Sequence, residues 1–86
     1  MIRQYSYAVD DAVLEFFSGC TKREREQLMR IFLALADDPF QKGDYVERTR
    51  SGRDVQVKRF GKWLITFWPD DPVTELRIID LRKVHP

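Results

Sequence analysis

The sequence has very little of the chemistry that most metal and nucleotide sites need. It contains one cysteine, Cys20, and one histidine, His85, among 86 residues, and its four glycines are scattered. A lone cysteine excludes an internal disulfide, so we expect a reducing compartment and a cytoplasmic location. Without ligand pairs at useful spacing, and without a glycine-rich phosphate loop, we predict no metal and no cofactor.

Long hydrophobic segments are also missing. The longest apolar run, residues 31–36, is too short to cross a bilayer, and the opening MIRQYSYAVDD lacks the apolar stretch of a signal peptide. We therefore predict no membrane association. At 86 residues the chain is expected to form a single domain, residues 1–86, with a modest core.

Neither sign of charge is in large excess, but the two halves of the chain differ. Residues 1–41 hold five Lys/Arg and seven Asp/Glu, whereas residues 42–86 hold ten and seven. An anion-binding surface is therefore expected in the second half. Because acids are interspersed among these cations, a solvated surface of mixed charge that binds nothing stays open as an alternative.

The spacing of apolar residues changes from helical in the first half to alternating in the second. Two helices are predicted between Asp10 and Asp38, with Gly19 ending the first and a capping box of Thr21 and Glu24 starting the second. The predicted strands are residues 3–9, 44–49, 54–60, 63–68 and 73–81. This order predicts an α+β domain with a helical hairpin on one face of a sheet.

Gly61-Lys62 suits a two-residue hairpin loop, and such a loop determines which side chains share a face. One face then carries Gln56, Lys58, Phe60, Trp63, Ile65 and Phe67. The other carries Val55, Val57, Arg59, Leu64, Thr66 and Trp68. The aromatic residues either pack in the core or line a groove for a partner. Since two short helices cover about one sheet face, we favour the groove.

Several short motifs, in this order, resemble the RelE/ParE superfamily of small toxins from bacterial toxin–antitoxin pairs. They are IFLALADDP at residues 31–39, Gly43, GRDVQVK at residues 52–58, Gly61 before a hydrophobic strand, and LRIIDL at residues 76–81. The resemblance covers nearly the whole chain. It implies a helical hairpin packed on one face of a four-stranded, mainly antiparallel sheet.

The resemblance also implies a function. The chain would be the toxin component of a type II pair, inhibiting growth by cleaving messenger RNA on the ribosome and neutralised by a protein antitoxin. Two alternatives within the family are a DNA gyrase poison without hydrolytic chemistry and a non-catalytic interaction module. Whether the chain is an endoribonuclease stays open, because most outer-face cations of the ribonuclease branch are absent. Whether it forms a homodimer stays open as well.

Candidate site residues follow from this resemblance, with Asp54, Gln56 and Lys58 expected on the outer face. RNA cleavage by the 2′-hydroxyl needs cations around the phosphorane and a proton donor. The candidate catalytic residues are Lys58, Lys83 and His85. The candidate nucleic-acid contacts are Arg53, Lys58, Lys62, Arg82 and Lys83. The candidate antitoxin-binding residues, on the same outer face, are Phe60, Trp63, Ile65 and Phe67.

Overall fold

A computed structural model describes residues 4–85, which form two α-helices, five strands and a short 3-10 helix at Asp71–Val73. The elements are β1 (Ser6–Val9), α1 (Asp11–Ser18), α2 (Lys22–Asp37), β2 (Tyr45–Arg48), β3 (Asp54–Phe60), β4 (Trp63–Asp70) and β5 (Glu75–Lys83). The predicted α+β organisation is confirmed. Arg3, where the first strand was expected to begin, lies outside the described residues.

The strands form one mixed sheet in the order β1-β5-β4-β3-β2. Strands β2 to β5 are antiparallel neighbours, and β1 pairs in parallel with β5. A parallel pair requires a long crossover connection, which the helical hairpin and the meander together provide. The strand count of four that the resemblance implies is therefore one too few, while the pairing is mainly antiparallel, with β1 and β5 as the parallel pair.

Local side-chain chemistry explains where α2 begins. The Thr21 hydroxyl accepts a hydrogen bond from the Glu24 amide at 3.1 Å, and the Glu24 carboxylate accepts one from the Thr21 amide at 3.0 Å. This is the predicted capping box, in which two amides at the helix start find partners. Leu28, Phe32 and Leu35 then follow at helical spacing and form the buried face of α2.

The core lies between the helices and one face of the sheet. The buried side chains of α1 and α2 belong to the same cluster as Trp63, Ile65 and Phe67 of β4, which are at most 1% exposed. Phe60 is half-buried against this cluster. The expectation that these four residues line an open groove for an antitoxin is wrong for Trp63, Ile65 and Phe67, because the helices of the same chain cover them. Phe60 keeps part of its surface at a pocket beside α2.

The β3–β4 hairpin has the predicted register. Phe60 pairs with Trp63 and Lys58 with Ile65, and Gly61 adopts a φ of 60° in the loop between them. Glycine tolerates this left-handed backbone at no steric cost, which is why the loop forms there. The sequence therefore predicted correctly which hairpin residues share a face. It predicted wrongly that the face with Trp63, Ile65 and Phe67 is left uncovered by the helices.

Gly43 lies where the chain before β2 crosses β3. A β-carbon at this position would be 2.5 Å from the backbone oxygen of Val57. The Gly43 amide donates to the Gln56 side chain at 2.8 Å, and the Asp44 amide donates to the Val57 oxygen at 2.7 Å. A residue without a side chain is thus needed to hold β2 at the edge of the sheet.

Candidate nucleic-acid interface

The face of the sheet opposite the helices is the surface we call the open face. By strand register it carries Tyr45, Glu47, Val55, Val57, Arg59, Leu64, Thr66, Trp68, Arg77, Asp80 and Arg82. Among the described residues, none of these belongs to the core cluster beneath the helices. Val55, Val57 and Thr66 are nevertheless at most 7% exposed, since they sit on central strands between neighbouring side chains. They form a largely apolar floor.

Two arginines flank Leu64 across this floor. Arg59 of β3 and Arg82 of β5 both pair in register with Leu64 of β4, so they stand two strand spacings apart, about 10 Å. Arg59 donates from Nε to the Gly61 oxygen at 2.7 Å, and Arg82 donates from Nε to Asp80 at 2.8 Å. Both side chains are exposed, that of Arg82 by 72%. Each guanidinium keeps its two Nη groups for a further acceptor such as a phosphate.

A third arginine covers an aromatic ring on the same face. The guanidinium carbon of Arg53 lies over the Trp68 ring, 3.6 Å from its centre, in a cation–π contact. Within residues 4–85, no carboxylate lies within 4.0 Å of the side chains of Arg53 or Arg59. Arg77, by contrast, is paired with Asp70 and Glu75, both at 3.2 Å.

The lysines predicted to bind nucleic acid lie elsewhere, around the start of α2. Lys83 and Lys62 both donate to the same Glu24 oxygen, at 2.9 and 3.2 Å. The hydrogen bond from Lys83, followed by those from the Thr21 amide and Lys62, lowers the pKa of Glu24 to about 2. The Trp63 indole donates to Gln27 at 3.0 Å beside this group. Lys62 and Lys83 therefore tie α2 to the sheet rather than form part of the open face.

The candidate catalytic residues do not form one site. Lys58 is half-buried on the helix side of β3 and donates to Gln41 at 2.9 Å. Lys83 lies two strands away, with its amine on Glu24. His85 is exposed beyond the end of β5. Lys58, Asp54 and Gln56 were expected on the sheet face away from the helices. That expectation is wrong, because the strand register places all three on the same face as Ile65 and Phe67.

The predicted nucleic-acid set is thus divided between the two sides of the sheet. Arg53 and Arg82 belong to the open face, whereas Lys58, Lys62 and Lys83 do not. The interpretation from sequence missed Arg59 and Trp68 as site residues. The hairpin register had already placed both on one face. A comparison of apolar side-chain volume on the two hairpin faces could have found them, because helices pack on the face with the larger apolar volume and leave the other face, with Arg59 and Trp68, uncovered.

A separate apolar cleft of about 170 Å³ opens between the helices and the β1 edge. Its lining comprises Tyr7, Val9, Val13, Leu14, Phe17, Met29 and Phe32. Leu14, Met29 and the neighbouring Leu33 of α2 are 44% to 54% exposed. Exposed apolar side chains beside a cleft of this kind are typical of surfaces that receive another protein.

Comparison of the chain with protein-family models, with curated proteins and with solved structures finds no match. None of the described helices has both the length and the apolar character that a membrane span requires. Between residues 4 and 85, no three His, Cys, Asp or Glu side chains converge in a way that could hold a metal ion.

Proposed function

We propose that the chain is the toxin component of a type II toxin–antitoxin pair and acts in the cytoplasm on messenger RNA. The observation that carries this proposal is the row of Arg59, Leu64 and Arg82, next to Arg53 on Trp68, on the face that the helices leave uncovered. Guanidinium groups bind phosphate in a bidentate way, and aromatic rings stack on bases. The helical hairpin and antiparallel meander support the same proposal through the motifs that carry the family resemblance.

In this proposal Arg59 and Arg82 hold the phosphate at which the strand is cleaved. The neighbouring 2′-oxygen loses its proton to water and forms a bond to phosphorus, and the bond from phosphorus to the 5′-oxygen of the next nucleotide breaks, leaving a 2′,3′-cyclic phosphate. The departing 5′-oxygen takes a proton from water, and fixed cations stabilise the extra negative charge of the phosphorane. The two side chains approach from opposite sides of Leu64, so both can reach one phosphate lying over it. The two arginines thereby take the role that the sequence assigned to Lys58 and Lys83.

The antitoxin would bind at the apolar cleft between α1, α2 and β1. Its apolar lining and the exposed Leu14, Met29 and Leu33 suit the apolar face of an amphipathic helix. An acidic segment of the same antitoxin would then cover the arginines of the open face. The aromatic row of β4 has no part in this contact, since it is core.

A second candidate is a toxin of the same fold that binds its target without cleaving it, as a gyrase poison would. The separation of Lys58 from Lys83 favours this candidate, because it leaves the predicted catalytic set without a common site. The two candidates predict different molecular damage in cells whose growth is arrested. Cleaved messenger RNA, mapped by primer extension, supports the first, and DNA damage with intact messenger RNA supports the second.

The binding experiment compares two double variants. Arg59→Gln with Arg82→Gln removes both open-face cations, and Arg23→Gln with Arg30→Gln removes two exposed cations of α2 as a matched control. Affinity for a single-stranded RNA octanucleotide is measured over a range of salt concentrations. The salt slope should fall by about 0.7 in the first variant, because the one phosphate that both arginines hold is no longer neutralised, and stay unchanged in the control. Equal slopes in the two variants would contradict the proposed site.

The cellular experiment uses the same pair of variants. Induced expression of the wild type and of the α2 control should arrest growth, and co-expression of the adjacent small open reading frame should relieve the arrest. The open-face variant should not arrest growth although it folds. Continued growth of cells that accumulate the soluble wild-type protein would refute the assignment as a toxin.

A further inference from the structure

The contact between Arg53 and Trp68 is a second binding feature of the open face. Trp68 is half-buried, and the exposed Arg53 lies over its ring with 3.6 Å between the guanidinium carbon and the ring centre. No carboxylate of the described residues pairs with Arg53. An exposed cation–π contact without an ion-pair partner is weak, so another flat group can replace the guanidinium.

The position of Trp68 relates it to the two phosphate-binding arginines. It follows Leu64 by four residues on β4, which is about 13 Å along the strand. The row between them contains Val57, Thr66 and Asp80. Val57 and Thr66 are buried and short, and the Asp80 carboxylate is paired with Arg82, so no large side chain stands between Leu64 and Trp68 along β4. A phosphate over Leu64 and a base over Trp68 are therefore within reach of one short, extended strand.

The charge of this surface indicates which ligand it fits. The side chains of Arg53 and Arg59 lack carboxylate partners among residues 4–85, so the open face carries unpaired positive charge at both ends of β3, whereas Arg82 on β5 is paired with Asp80. A paired duplex hides its bases in the stack, whereas an unpaired strand exposes a flat face at every base. Cations spaced around an indole ring thus match single-stranded nucleic acid better than they match a protein helix.

We infer that Trp68 is a stacking site for one unpaired base of the RNA strand whose phosphate is held by Arg59 and Arg82, an inference that rests on the proposed function. The base takes the place of the Arg53 guanidinium on the indole. Arg53 then moves to a neighbouring phosphate of the same strand. Trp68 is in this way a specificity-determining residue that sets which nucleotide lies between the arginines.

The test uses a single-stranded RNA octanucleotide in which one nucleotide at a time is made abasic. In the wild type, the abasic change at one position should weaken binding by about 5- to 150-fold, the effect of losing one base–aromatic stack. In Trp68→Leu that penalty should disappear. Trp68→Phe, which keeps a ring, should retain most of it. Arg53→Gln should also retain it, while lowering the salt slope by about 0.7.

Tryptophan fluorescence gives an independent readout, because Trp63 is buried and only Trp68 can meet a base. RNA should quench the emission of the wild type and leave that of Trp68→Leu unchanged. Circular dichroism confirms that each variant is folded. An abasic penalty of the same size in the wild type and in Trp68→Leu would overturn the stacking site and leave the proposed function standing. Absence of RNA binding by the folded wild type would overturn both.

Discussion

The placement of Trp63 in the core leads to a prediction that separates packing from partner binding. Trp63 is 1% exposed, its ring lies 6.2 Å from that of Phe16, and its indole donates to Gln27 at 3.0 Å. Trp63→Phe deletes this hydrogen bond and leaves a gap beneath the helices. We expect the free energy of unfolding to fall by about 1–2 kcal/mol. The alanine variant should lose about 3–5 kcal/mol, a large part of the stability of so small a domain.

The measurement is urea unfolding followed by circular dichroism, since fluorescence would change with the loss of a tryptophan. For the phenylalanine variant, the midpoint should fall by about 1 M at an unchanged slope. Trp68→Phe is the matched control, because it makes the same substitution on the half-buried ring of the open face. Its midpoint should change much less. Equal midpoints for the two variants would show that Trp63 is not in the core, and the assignment of the covered face would fail.

Two further predictions concern α2 and the β2 edge. The pKa of Glu24 is about 2 in the folded protein against a usual 4.5, so its stabilising effect is complete above about pH 4.5 and lost as the pH falls through 2. Glu24→Gln should therefore lower the urea midpoint at neutral pH and hardly change it near pH 2. An equal loss at both would refute this account. Gly43→Ala should cost about 1–3 kcal/mol because its new methyl group meets the Val57 backbone, whereas Gly19→Ala, with 3.6 Å to the Phe16 oxygen, should be nearly neutral in the same assay. Similar losses in the two glycine variants would rule out the close approach as the cause.

The site predicted from the sequence failed at one identifiable step. The register of the hairpin assigned each residue to one of two faces, and those assignments are correct for Phe60, Trp63, Arg59 and Leu64. The error was the expectation that the face with Phe60, Trp63 and Phe67 is open, since the helices pack on that face. As a consequence, Lys58 and Lys83, which were expected on the open side, lie on the covered side. Arg59 and Trp68, which lie on the open face, were not among the predicted site residues. Alternation along a strand shows which residues share a face, whereas the side that the helices cover depends on the apolar volume summed over each whole face.

What the sequence determined by itself is local. The capping box of Thr21 and Glu24 joins groups three residues apart, and the hairpin loop depends on the left-handed backbone of Gly61, so both could be predicted without any knowledge of the fold. The tertiary structure decided the parallel pairing of β1 with β5, the side of the sheet that the helices cover, and the Arg59–Leu64–Arg82 row. Those features join residues far apart in the chain, and they depend on the total apolar area buried between the layers, which no short segment specifies.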